Sequence, residues 1–255
     1  RSFDDPNVEH FDSQPIPQKD IEVINTELIL ADLQTVQRRL PRLEKEVRAN
    51  PKLKPMLVAL EQIHSALDAG KTVSALFKPD ELEGLEDLQV LTMKPVIYVF
   101  NIDEQTIGDN DKKSQLADLV APAGSVFVSA KIESELRGLD DTDREELLAS
   151  YGQKKSGLSQ LIHKAYDVLE LQSYLTAGEK EVRAWTIPKG CTAPQAAGVI
   201  HSDFERGFIA AQVISYPDLV AAGSEAAARA AGKLRTEGKT YIMQPDDVVE
   251  FRFNV

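Results

Sequence analysis

Leu33, Val36, Leu40, Leu43 and Val47 succeed one another at spacings of 3, 4, 3 and 4. That interval returns an apolar side chain to the same side of an α-helix at every turn, so a segment written this way must find a partner for its stripe. Ile21, Ile24, Leu28 and Ala31 extend the stripe upstream, and Leu53, Leu57, Leu60, Ile63 and Leu67 form a second one. Asn50-Pro51 between them reads as a turn, and Gly70 stands where a helix commonly stops. The pattern predicts an antiparallel helical hairpin. A kink or break is expected near residues 37–41, because Pro41 removes a backbone hydrogen bond at a cost of ~3 kcal/mol in a regular helix.

Residues 76–91 read as a short acidic helix on a loop, and then the period changes. Residues 95–100 (PVIYVF) and 125–129 (SVFVS) are continuous apolar, β-branched or aromatic runs. They suit strands buried on both faces of a parallel sheet. Helices are expected around residues 112–120 and 157–169, which gives an α/β alternation whose ligands bind at the carboxyl ends of the strands, here 101–104 and 129–131. From Lys180 a compact α+β module follows. Its expected strands are 181–187, 207–215, 239–244 and 248–253, with a helix at 193–200 and two small helices around 224–231.

Charge narrows the possible partners. The 255 residues carry 29 basic and 41 acidic side chains, a balance of -12, which argues against indiscriminate nucleic-acid binding. Residues 173–255 are near neutral, with nine basic against ten acidic residues. The exception is the segment 35–55, where seven cations including Arg38, Arg39, Arg42, Lys45 and Arg48 face only Glu44 and Glu46. Its charge invites a polyanion or marks a solvated helix face. No apolar run approaches the ~20 residues of a membrane span, and the first 30 residues lack a secretory pattern. With the single Cys191, a cytoplasmic location is expected.

Searches for familiar chemistry return little. Gly70-Lys71-Thr72 and Gly238-Lys239-Thr240 imitate the end of G-x-x-x-x-G-K-[ST], but the first glycine falls at Ser65 and at Lys233. Neither copy joins a strand to a helix, as phosphate binding by helix N-terminal amides requires. His10, His64, His163 and His201 are scattered without metal-ligand spacing, so no metal site and no catalytic residue is expected in this chain. Tyr174, Trp185 and Phe208 are stacking candidates, although core packing suits Trp185 and Phe208 better.

The informative feature is Asn101-Ile102-Asp103-Glu104 at the end of the first strand run, followed one strand later by Ser129-Ala130-Lys131. P-loop GTPases read the base with N-K-x-D and S-A-K loops in this context. Here Ile102 stands for the Lys and Glu104 for the Asp. The stacking Lys stem is lost and the carboxylate sits one methylene further out, which weakens guanine selection. Adenine offers an N6 donor, which the Asn101 side-chain oxygen and the Ile102 carbonyl can meet.

Residues 20–32 (DIEVINTELILAD), 94–104 (KPVIYVFNIDE), 128–136 (VSAKIESEL), 181–187 (EVRAWTI) and 193–208 (APQAAGVIHSDFERGF) together resemble the YchF subfamily of Obg-like P-loop ATPases. The resemblance runs from Arg1 to Val255. It implies an α/β P-loop nucleotide domain, present here in part, with an inserted α-helical coiled-coil hairpin and then an α+β TGS domain of β-grasp type. The expected divisions are 1–20 and 92–172 for the nucleotide domain, 21–91 for the insertion and 173–255 for the TGS domain. Carried over by position, Asn101, Ile102 and Glu104 fall on the family's N-x-x-E base loop, and Ser129, Ala130 and Lys131 on its second base loop. The implied cofactor is ATP, with GTP as an alternative, and Mg²⁺ whose ligands are not in this chain. The family's phosphate loop and switch segments are expected upstream of Arg1, so the chain alone is expected to be inactive as a hydrolase. The implied partners are a nucleotide and the ribosome or RNA, met through the hairpin (Arg38, Arg39, Arg42, Lys45, Arg48) and the TGS domain, with no membrane. The alternative is a non-catalytic RNA- or ribosome-binding adaptor module.

Overall fold

A computed structural model describes residues 1–5, 14–78, 81–82, 84–178 and 181–254; His10, Lys180 and the stretch 6–13 of the expected 1–20 segment lie outside the described residues. The chain divides into two units, Arg1–Lys164 and Ala165–Val255.

In the first unit the two apolar stripes become helices α1 (Pro17–Ala49) and α2 (Lys54–Asp68), joined by a single 3-10 turn at Pro51–Leu53. Val36, Leu43, Leu60 and Ile63 are fully excluded from solvent along the seam. Burial of each such side chain stabilises the fold by about 2 kcal/mol. Gly70, at φ +71°, closes α2 in the left-handed conformation that glycine adopts without a Cβ penalty. The expected break near Pro41 is absent: α1 runs unbroken for 33 residues, about 50 Å. Pro41 lies on the exposed side, and its neighbours Leu40 and Leu43 stay packed in the seam, which offsets the lost hydrogen bond.

Residues 76–91 do not form the expected helix. Short 3-10 turns at Val73–Ala75, Glu86–Leu88 and Leu91–Met93 replace it. Gly84 (φ +82°) and Gln89 (φ 51°) both take a backbone conformation that an α-helix cannot accommodate. The segment instead sends Leu82, Leu85 and Val90 into the hairpin core. It is anchored by Asp32 of α1, which is 2% exposed and accepts the Leu91 and Thr92 backbone N–H groups, one on each carboxylate oxygen, at 2.7 Å. Thr92 Oγ1 in turn accepts the Val73 N–H at 3.1 Å.

The α/β part begins directly after this clamp. Strands β1 (Ile97–Asn101) and β2 (Gly124–Val128) pair in parallel, with Asn101 opposite Val128. The expectation of burial on both faces fails for the first run, where Phe100 is 5% exposed and Val99 47%, whereas in β2 Val126 is 5% exposed and Phe127, on the opposite face, is half-buried. Among the described residues each strand has one strand neighbour, and only the Phe100 side packs on the cluster of Ile102, Ile107, Leu116 and Ile132. Helices α3 (Glu104–Ile107), α4 (Asn110–Asp118), α5 (Ala130–Glu135), α6 (Asp141–Ser150) and α7 (Gly157–Val168) complete this part. The Tyr98 hydroxyl donates to Asn25 Oδ1 of α1 at 3.1 Å, a second polar tie between long helix and sheet.

The second unit is a mixed five-stranded sheet in the order β4-β3-β7-β5-β6, built from β3 (Leu171–Ala177), β4 (Val182–Pro188), β5 (Phe208–Ser215), β6 (Arg235–Glu237) and β7 (Asp247–Phe253). Helix α8 (Ala193–Ile200) packs Ala193, Ala196 and Ala197 against Tyr174, Ala211, Val213 and Val249 on one face. Short helices α9 (Ser202–Arg206), α10 (Tyr216–Ala222) and α11 (Glu225–Ala230) lie in the connections. The expected strand at 239–244 is reduced to a lone bridge between Thr192 and Ile242, and Arg235–Glu237 is the strand instead. The loop after β6 is held by polar bonds: buried Asp247 accepts from the Tyr241 hydroxyl at 2.9 Å and from the Gln244 N–H at 2.8 Å. Among the described residues no helix is long and apolar enough to cross a membrane.

Replacing Asp32 by Ala strands two buried backbone donors. Urea denaturation followed by circular dichroism is expected to show a loss of about 3 kcal/mol, with Asp32→Asn intermediate because one acceptor oxygen survives. A loss below about 1 kcal/mol would show that water replaces the carboxylate.

Candidate functional site

The residues expected at the two base loops come together at the carboxyl ends of β1 and β2. Asn101 ends β1, and its side-chain Oδ1 accepts the Ala130 N–H at 3.1 Å across 29 residues of sequence. Its own carbonyl accepts from Ser2 twice, from the backbone N–H and from Oγ, each at 3.0 Å. The loops are tied a second time by the Ile102 N–H, which donates to Val128 O at 2.9 Å. Since a backbone N–H only donates, the oxygen of the Asn101 amide faces Ala130 and its Nδ2 is the group left to face outward. The side-chain oxygen expected to meet adenine N6 thus already accepts one hydrogen bond, and its second lone pair is the acceptor left for a ligand.

Ile102 and Ser129 are buried, at 2% and 6% exposure, so Ile102 places its side chain in the core and can offer a ligand only its main chain. Glu104 begins α3 and Lys131 is the second residue of α5, and their side chains form an ion pair, Lys131 Nζ with Glu104 Oε1. The hydrogen bond from Lys131 holds the Glu104 carboxyl below its usual range, and the same bond raises Lys131. Asp103, just before Glu104 in sequence, is a helix cap: Oδ1 accepts the Thr106 N–H at 2.9 Å. Burial opposes its charge, but the bonds from Thr106 and the field of Lys112 outweigh it and hold its carboxyl low. The capping role was readable from the Asp-x-x-Thr spacing. The Asp32 clamp and the Tyr98–Asn25 bond carry no local signal.

The basic candidates divide into two kinds. Arg38, Arg42, Lys45 and Arg48 are exposed on α1, and the spacing of the first three, four and then three residues, puts them on one face. Arg39 is different. It makes a two-pronged bond to Glu46, both arms at 2.9 Å, and this bond raises its pKa while lowering that of Glu46. The aromatic candidates also separate: Tyr174 is fully buried with its hydroxyl donating to Ala196 O at 2.9 Å, and Phe208 is buried in the same core. Trp185 is half-buried, with the Arg183 guanidinium 4.2 Å above its ring. Among the described residues no group of three or more His, Cys, Asp or Glu is placed to hold a metal ion. His201 caps α9, its Nδ1 accepting the Asp203 N–H at 3.2 Å.

A family model named YchF-GTPase_C and described as "Protein of unknown function (DUF933)" matches residues 171–254. The ribosome-binding ATPase YchF of Escherichia coli O157:H7 is 43% identical over 259 residues, which cover all of this chain and 71% of that protein. The protein of the same name from Bacillus subtilis is 42% identical over 262 residues, covering all of this chain and 72% of the relative. Obg-like ATPase 1 of Caenorhabditis elegans is 38% identical over 264 residues, all of this chain and 66% of the relative. The solved structure of the Schizosaccharomyces pombe YchF GTPase superposes with a TM-score of 0.78 at 32% identity, covering 98% of this chain and 70% of that one.

The Glu104–Lys131 pair has a pH signature. Because the folded carboxyl is held below its ordinary value of 4.5, the pair stabilises the loops at neutral pH and is lost as pH falls through that lowered value. A carbon-detected NMR titration of Glu104 is expected to show a midpoint below 4.5 that returns toward it in Lys131→Met. An unchanged midpoint in the variant would remove Lys131 as the cause.

Proposed function

The chain belongs to the YchF family, and from that premise we propose that it carries the base-reading face of a nucleotide site, ATP in preference to GTP, together with a hairpin and a TGS-type module that engage the ribosome or its RNA. The observation that carries the nucleotide part is the Asn101 Oδ1 bond to Ala130, which fixes both base loops as one surface at the carboxyl ends of two parallel strands. Asn101 Nδ2 then meets an acceptor nitrogen of the purine, and the Ile102 main chain meets the N6 amino group of adenine. A guanine-reading carboxylate must accept from N1–H and the N2 amino group at once. Glu104 is engaged by Lys131, which disfavours that arrangement.

The residues present fit the base and not the rest of the cofactor. No G-x-x-x-x-G-K-[ST] occurs in the 255 residues, and no Mg²⁺ ligand is assigned among them. Bound Mg²⁺ would supply charge neutralisation at the phosphates; the residues of this chain orient the base. The second unit, a five-stranded sheet with α8 across one face, is assigned as the β-grasp TGS module, and α1 with α2 as the coiled-coil insertion.

Support for the partner comes from the stripe of Arg38, Arg42 and Lys45, which presents exposed charge without the carboxylate that occupies Arg39. The similar bacterial proteins are named ribosome-binding ATPases. A surface of this kind binds phosphates by releasing counterions, so its affinity depends on salt.

Two experiments test the parts separately. Adenosine nucleotides are expected to shift the Asn101 side-chain and Ala130 amide resonances more than guanosine nucleotides do, with no ATP hydrolysis above a blank; a reversed preference would overturn the base assignment. In ribosome sedimentation across a salt series, replacing Arg38, Arg42 and Lys45 by Ala is expected to flatten the slope of log K against log salt by about 2. An unchanged slope would leave the stripe as a solvated face.

A further inference from the structure

The second unit contains a cavity of about 910 Å³ that the nucleotide and ribosome assignments do not use. Its volume lies in the range of roughly 300–1,000 Å³ typical of ligand sites. Its lining is unusual in coming from both faces of one sheet. Phe204, Val249 and Phe251 belong to the side covered by α8 and α9, whereas Gln212, Ile214 and Glu250 belong to the opposite side.

The register explains how one cavity reaches both faces. Strands β3 and β4 pair along their length from Leu171 to Ala177, and β5 pairs with β7 from Phe208 to Ser215. Strands β3 and β7 share one ladder pair, Leu175 with Val248. Beyond it, Thr176, Ala177 and Gly178 on one side and Val249, Glu250 and Phe251 on the other line the cavity rather than each other. The sheet is split there into a wedge-shaped slot. In a β-ladder alternate residues turn N–H and C=O to opposite sides, so the stretch of β7 after Val248 presents main-chain donors and acceptors to the slot that β5 does not use.

The slot's charge has one sign. Among the described residues, Glu181, Glu225 and Glu250 are the charged residues of the lining. Glu181 is paired with Arg183 at 3.7 Å and Glu225 with Arg229 at 2.9 Å, and among the described residues no ion pair engages Glu250, which is exposed.

We propose that the slot between β3 and β7 binds an extended segment of a partner protein that adds main-chain hydrogen bonds along β7, seats alternate apolar side chains against Phe204, Ile214 and Phe251, and places a lysine or arginine at Glu250. Strand addition uses all three features: unpaired edge groups supply affinity, and alternate pockets and rim charge supply specificity. This surface lies in the second unit and is independent of the base loops.

The test uses the 255-residue chain and a fluorescein-labelled seven-residue peptide alternating Lys with Val or Ile. Saturable binding in the micromolar range is expected by anisotropy, with amide shifts confined to Thr176–Gly178 and Val249–Phe253. N-methylation of alternate peptide bonds keeps the charge and removes main-chain donors, and is expected to abolish binding. Exchange of Lys for Glu in the peptide, or Glu250→Lys in the protein, is expected to weaken binding about tenfold. Ala177→Trp, at an exposed position of the wedge, should block it without disturbing the core. No saturation, equal binding of the N-methylated peptide, indifference to Glu250→Lys, or displacement by polyuridylate would each overturn the proposal.

Discussion

The carboxylate of Asp32 is the joint on which the first unit depends. It lies halfway along α1, almost wholly out of water, and each oxygen accepts one backbone N–H, from Leu91 and from Thr92. Apolar contact along the hairpin seam gives most of the binding energy between the helices, but contact of that kind is non-directional and tolerates sliding. Two short bonds to a buried charge do not tolerate it, because displacement would leave donors and acceptor unpaired in a medium that cannot solvate them. The clamp therefore sets where the chain leaves the hairpin. Four residues after Met93, β1 begins, and its last residue is Asn101.

From that point the geometry of the two candidate base loops is inherited rather than built locally. Parallel pairing of β1 with β2 brings Asn101 level with Val128, and one side-chain bond then joins the first loop to the start of α5. The Tyr98–Asn25 bond ties the same strand back to α1. A continuous helix thus runs from the sheet to the basic stripe without an intervening loop, and Pro41 does not interrupt it. The ion pair of Glu104 and Lys131 closes the site at its exposed side. Because water screens it there, it orients the loops more than it stabilises the fold.

Where sequence and structure part company, a specific physical term decides. The seam of Leu33 to Val47 was legible because periodicity and burial agree at every turn. Residues 76–91 misled because helix-like composition gave way to positive φ at Gly84 and Gln89, which the docking of Leu82, Leu85 and Val90 onto the hairpin makes worthwhile. The run 239–244 resembles a strand by composition. Its polar groups are instead taken up by Asp247, so it is held as a loop. Arg39 and Glu46 lie seven residues, two helical turns, apart on α1, so the helix puts them on one face, but charge counts alone did not separate Arg39 from Arg38 and Arg42.

The sequence by itself determined the long helices of the hairpin, the two parallel strands and most strands of the second unit, the position of the hairpin turn, the stretch of concentrated positive charge, and the residue types at the two candidate base loops. These follow from short-range rules, because periodicity, turn chemistry and charge counts are properties of neighbouring residues. Tertiary structure alone decided that Asp32 is a buried anchor, that Ile102 turns its side chain inward, that the Asn101 oxygen accepts from Ala130, and that β3 and β7 share a single ladder pair, Leu175 with Val248. Each of those depends on a partner tens of residues away. No local pattern encodes which buried donor will be left in need of an acceptor, or where two strands will stop pairing.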